Sequence, residues 1–177
     1  MKNLTMSDRI AICNLCVEAG AKTALMEVDD IALHYLHEHG REPKACFASD
    51  ADAHFAAVYD IDLSTITPIV AKPHFVDNVC PAKEATGVKI DEAFLGSCNN
   101  GRIEDLRVGA ELLKGRKVHP LVRFLVVPAS QAVYQQALKE GLLKIFMEAG
   151  AIVMNPNCSV CWGSCQGVIG EGETLIS

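Results

Sequence analysis

From Ala93 to Met154 the sequence switches repeatedly between short apolar runs and segments with helical spacing, with glycines at several of the changes. Ala93–Ser97 reads as the end of a strand, Arg102–Lys114 as a helix closed by Gly115, and Arg123–Val127 as a buried strand. Gln131–Lys139 and Leu142–Ala149 read as helical segments separated by Gly141, and Ala151–Met154 as a further strand. Consecutive strands joined through helices run parallel, so this rhythm leaves few topologies. It predicts an α/β fold, a doubly wound parallel sheet in three-layer units.

The first half is less regular. Ser7 to Gly20 reads as a helix with Ser7 as its N-cap, and Thr23–Met26 as a short buried strand. Asp29 and Asp30 open a second helix, Ile31–His39, which Gly40 ends. Val58 to Val70 is rich in β-branched residues and alternates at Ile61, Leu63, Thr65 and Thr67, the pattern of a strand. Lys72–Ala82 contains Pro73 and Pro81 and marks a boundary. The expected division is therefore 1–82, part of one α/β unit, and 83–177, a second α/β unit.

Composition excludes several functional classes. A net charge of −6 over 177 residues argues against nucleic acid as a partner, since gripping phosphates needs a basic face. No apolar run approaches the ~18 residues of a membrane span, and the start MKNLTMSDRI has no signal-type apolar stretch. The expectation is a cytoplasmic protein with no membrane partner. In such a compartment the eight cysteines are reduced, so they are packing residues, metal ligands or both.

Spacing separates them. In open parallel sheets, sites form where strands end and helices begin. Gly96-Ser97-Cys98-Asn99-Asn100-Gly101 stands at one such place, and the loop Asn155 to Gly167, with Cys158 and Cys161 at C-x-x-C spacing, at another. Three thiolates on one sheet edge suit a metal or an iron–sulfur cluster. Zinc would call for a fourth ligand, which Cys165 could supply. Cys13 and Cys16 resemble a zinc half-site but lack a partner pair, and with Cys46 and Cys80 they read as packing residues. His34, His37 and His39 fall on a polar helix end, and His54 and His74 follow no ligand pattern.

The run Gly96 to Arg107 resembles the Gly-Ser-Cys-Thr-Asn…Glu-Asp signature of the aconitase superfamily, with Asn99 in place of the usual threonine. The second cysteine loop and the helix Ile12-Cys13-Asn14-Leu15-Cys16-Val17-Glu18-Ala19-Gly20-Ala21 are similar to two further motifs of that family, in the same order. Among its members the chain is most similar to the large subunits of 3-isopropylmalate dehydratase and homoaconitase.

The resemblance implies that Cys98, Cys158 and Cys161 hold a [4Fe-4S] cluster whose fourth iron acts as a Lewis acid on a hydroxyl group. It implies that Asn14 and Glu18 are the polar pair near the cluster, one hydrogen-bonding there and the other acting on the substrate hydroxyl. Four residues apart on one helix, they would share a face. Read without the family, they would be a solvated face with Lys22 answering Glu18. The resemblance also gives Asn100 a place beside the cluster or the Cys98 turn, and leaves Cys165 outside the ligand positions.

Three features of the family pattern are missing between Met1 and Ser177: an upstream Asp-His segment, a downstream arginine that clamps a substrate carboxylate, and a serine base carried on a swivelling domain or small subunit. The expectation is a middle piece of a hydro-lyase acting on a 2-hydroxy di- or tricarboxylic acid, first of all 3-isopropylmalate, and working with a small subunit. Alone, the piece is expected to be inactive. The alternative is a non-catalytic iron–sulfur or zinc-binding module.

Overall fold

A computed structural model describes residues 3–163 and 165–177. The chain forms two compact units, residues 1–88 and 89–177.

In the first unit, helix α1 spans Met6–Leu15 and α2 spans Asp30–Glu38. The cap of α1 is Thr5, not Ser7. The Thr5 hydroxyl accepts from the Asp8 amide at 3.2 Å while the Asp8 carboxylate accepts from the Thr5 amide at 2.8 Å. This reciprocal pair satisfies two otherwise orphaned donors. Asp29 caps α2 by accepting from the Ala32 amide at 3.1 Å. The same carboxylate receives both terminal nitrogens of Arg9 at 2.7 Å, which joins the two helices through a guanidinium that is only 3% exposed.

Strand β1, Ile69–Ala71, pairs antiparallel with β2, Val79–Pro81, placing Val70 opposite Cys80. Thr23–Met26 and Val58–Pro68 do not form strands; Leu63–Thr65 is a single 3-10 turn. A β-branched run becomes a strand only where another backbone hydrogen-bonds to it. Here only the residues facing Val79–Pro81 obtain one.

The second unit has the expected parallel sheet alternating with helices, but among the described residues not the helix layer on both faces that a doubly wound, three-layer unit has. Strand β3 is Glu92–Leu95, α3 Ile103–Leu113, β4 Arg123–Val126, α4 Gln131–Lys139, α5 Leu142–Ala149 and β5 Ile152–Val153. A fourth strand, β6 at Leu175–Ile176, was not foreseen. The order across the sheet is β5-β4-β3-β6, and every pairing is parallel.

Steps from β3 to β4 to β5 move in one direction, so right-handed crossovers put all three helices on one face. Leu106, Ala110, Ala137, Leu142, Leu143 and Phe146 from those helices bury Val126 of β4 there. The alternate residues of β4 point the other way. Leu125 and the following Val127 join Phe94 and Met154 in a second core, with Val160 and Leu175 against it. From β5 the chain must reach the opposite edge to form β6. The segment between Met154 and Thr174 makes that reverse step, so the second face is covered by irregular chain and not by helix.

At the amino edge of the sheet, fully buried Glu92 accepts from Arg123 Nε at 2.9 Å, and Arg123 also binds Glu173.

Candidate metal centre

The two cysteine loops follow the carboxyl ends of β3 and β5, the same edge of one parallel sheet. The first is held tightly. The Gly101 amide donates to the Ser97 carbonyl at 2.8 Å, and the Gly101 carbonyl accepts from the Ala129 amide at 2.8 Å. A Cβ on Gly101 would run into the Val127 carbonyl and lie 2.6 Å from that of Ser97, so only glycine lets the loop lie this close to the end of β4. Ser97 is buried while Cys98 is exposed, so the loop is anchored and its thiol faces outward. Helix α3 begins directly after it, with Asp105 accepting from the Arg102 amide at 3.0 Å.

The second loop is built around Ser159. Cys158 caps and Cys161 ends the 3-10 turn Ser159–Cys161, closed by the Cys161 amide donating to the Cys158 carbonyl at 3.1 Å. Cys158, Cys161 and Cys165 are all exposed, and no disulfide involves them.

Among the described residues, no group of three or more His, Cys, Asp or Glu side chains stands close enough together to hold one metal ion. The geometry brings the Cys158 and Cys161 positions to one turn and Cys98 to the same sheet edge, without gathering the three thiols. Asn100 is exposed in the first loop.

The other two expected residues lie in the first unit. Asn14 occupies the last turn of α1 and lines a cavity of about 650 Å³ with Arg9, Cys13, Val17 and Lys22. Glu18 lies beyond the helix end. There the chain continues in tighter turns, with the Glu18 amide donating to the Leu15 carbonyl at 3.0 Å. The regular four-residue relation between Asn14 and Glu18 is therefore not kept. Both side chains are exposed, and no ion pair joins Glu18 to Lys22.

A family model described as "Aconitase family (aconitate hydratase)" matches residues 1–87 and 81–177. The chain belongs to the aconitase family. It is 47% identical over 182 residues to the 3-isopropylmalate dehydratase large subunit of Aquifex aeolicus, with all of the chain and 42% of that protein covered. The large subunits of the same name from Hydrogenobaculum sp. and Caldicellulosiruptor saccharolyticus are each 46% identical, again over all of the chain and 42% of the relative. The chain thus spans less than half the length of these relatives.

An aconitase-family chain implies an iron–sulfur group, and the donors on the sheet edge fit one in kind. Thiols are the ligands such clusters take, and four, Cys98, Cys158, Cys161 and Cys165, stand exposed on two loops of one edge. The polar atoms beside them point the same way. Asn99 Oδ1, next to Cys98, and Asn157 Oδ1, next to Cys158, are buried without a hydrogen-bond partner, although the Asn157 amide nitrogen donates to the Asn155 carbonyl at 2.6 Å. Buried acceptors left unpaired carry a desolvation cost; one stands in each cysteine loop, where a donor beside the thiols would satisfy it, and a third, Glu92 Oε1, lies at the amino edge of the sheet. Sequence reasoning passed over both loop oxygens. Asn99 stood out only as a departure from the motif, and Asn157 was not singled out within the loop Asn155 to Gly167.

No helix among the described residues is long and apolar enough to cross a membrane.

Proposed function

We propose that this chain is the cluster-carrying part of a hydro-lyase that interconverts 2-hydroxy di- or tricarboxylic acids, with 3-isopropylmalate the first substrate to test. The observation that carries the reading is the placement of Cys98, Cys158 and Cys161, in aconitase-family order, on two loops at the carboxyl edge of one sheet. The naming of the relatives as large subunits supports a small-subunit partner, and the exposed thiols fit a reducing, cytoplasmic setting.

In this reading Cys98, Cys158 and Cys161 hold a [4Fe-4S] cluster. Its chemistry when bound is Lewis-acid activation of a hydroxyl leaving group. The rest falls to side chains. Asn14 supplies an amide for hydrogen bonding near the group, and Glu18 supplies the carboxylate that exchanges a proton with the substrate hydroxyl. Asn100 extends the polar lining of the Cys98 loop. Carbon-bound proton removal and carboxylate clamping need a base and a cation from elsewhere in the working enzyme.

The deciding experiment is anaerobic reconstitution with iron and sulfide. A brown product with about four irons per chain supports the proposal. A colourless protein that takes up zinc through Cys98, Cys158, Cys161 and Cys165 supports a zinc-binding module instead, a reading kept open by the exposed fourth thiol on the same loop.

A further inference from the structure

Ser159, between the two cysteines of the C-x-x-C pair, is fully buried and is the one non-glycine residue with positive φ among the described residues, at 48°. That conformation is unfavourable for any residue with a Cβ. Glycine would adopt it without strain, so what serine adds is its hydroxyl. The hydroxyl donates to the Gln166 carbonyl at 2.6 Å. The Ser159 carbonyl meanwhile accepts from the amides of Trp162 at 3.3 Å and Gly163 at 3.1 Å. One residue therefore organises both ends of the stretch that bears Cys161 and Cys165.

The far end of that stretch is seated too. Gly167 has φ +82°, and a Cβ there would collide with Leu125 Cδ1 and lie 3.3 Å from both Glu92 Oε1 and Val160 Cγ1. The return of the loop rests directly on β4, and the Ser159 hydroxyl ties the cysteine turn to the residue just before that resting point.

From this geometry we infer that Ser159 is a positioning residue for the metal-binding thiols, its hydroxyl clamp on Gln166 fixing the direction in which Cys158 and Cys161 present their sulfurs. The inference rests on the reading of Cys98, Cys158 and Cys161 as ligands. It adds a residue that touches neither metal nor substrate. Groups that orient ligands from behind typically change metal affinity 10–100-fold when removed.

The test is titration of the reduced 177-residue chain with Co²⁺ under argon, following thiolate-to-cobalt charge-transfer absorbance, for wild type, Ser159→Ala, Ser159→Gly and Cys161→Ala. Wild type is expected to give the band and Cys161→Ala to weaken it. Both Ser159 variants are expected to bind Co²⁺ about 10–100-fold more weakly, with reduced band intensity per chain. Ser159→Gly relieves the backbone strain, so its melting temperature stays near wild type, and it carries the test if Ser159→Ala fails to fold. A Ser159→Gly protein with wild-type affinity and band intensity overturns the inference and leaves the ligand reading standing. Absence of the band in wild type, or a band indifferent to Cys161→Ala, overturns the ligand reading and the inference with it.

Discussion

Arg123 holds the carboxylate of Glu173 by two hydrogen bonds, 2.7 Å from Nη1 and 2.6 Å from the other terminal nitrogen, which fastens the start of β4 to the residues just before β6. The bonds from this guanidinium, with a third from the Gly170 amide, lower the Glu173 carboxyl to about 2 from its ordinary 4.5. A carboxyl depressed in the folded state stabilises the fold when ionised. The contribution is complete above pH 4.5 and is lost as pH falls toward 2. The melting temperatures of wild type and Glu173→Gln should therefore differ most above that range and converge at its acid end. Parallel curves from neutral to acid pH would show that the pair does not contribute.

Crowding around Gly101 gives a second prediction. Gly101→Ala forces a Cβ against the Val127 and Ser97 carbonyls and should cost about 1–3 kcal/mol in urea unfolding. Gly170→Ala is the control, because its nearest neighbour is Glu173 Oε2 at 3.5 Å, an ordinary contact. Equal losses in the two variants would mean that the Cys98 loop has room that its hydrogen bonds do not suggest.

The cysteines should sort by iron content. After anaerobic reconstitution, Cys98→Ser, Cys158→Ser and Cys161→Ser should each lose most of the bound iron, and Cys165→Ser should keep it. Chelation should remove iron and colour together. Iron loss in Cys165→Ser equal to that in the other three would make it a fourth ligand, leave no iron open to a substrate hydroxyl, and displace the hydro-lyase reading.

Activity follows from the roles the chain can fill. A general acid or base contributes about 10²–10⁴ in rate, and in the proposed reading the carbon base and the clamping arginine come from outside this stretch. The reconstituted chain alone should show no turnover of 3-isopropylmalate, read by absorbance of the unsaturated acid. In an assembled enzyme of the proposed kind, Glu18→Ala should reduce kcat by a comparable 10²–10⁴. Turnover by the isolated chain that Glu18→Ala abolishes would place the missing base within these residues.

The second unit was legible because its helices bury one stripe each and its strands are short apolar runs between glycines. Gln131–Lys139 and Leu142–Ala149 appear with the boundaries expected from the sequence. Leu175–Ile176 escaped notice because two residues carry no periodicity; only the register against Glu92 and Ala93 makes them a strand. The first unit was harder. Val58–Pro68 has strand-forming side chains, yet pairing is decided by a partner backbone that local sequence does not specify. Thr5 displaced Ser7 as the cap because Asp8 reciprocates only with Thr5. At the site, the cysteines were readable from spacing and strand ends. The buried oxygens of Asn99 and Asn157 and the clamp at Ser159 were not, because each depends on how a loop folds back on the sheet.

The reverse crossing from β5 to β6 makes one stretch of chain answer to two demands. It presents Cys158 and Cys161, and it also shields Leu125, Val127 and Phe94 from water. A ligand that binds only the ordered form of this stretch adds its binding free energy to the stability of the face beneath. If the proposed cluster is bound, stripping it should be felt first as solvent entry under β4, with amide exchange accelerating at Leu125 and Val127 before the helical side of the sheet responds.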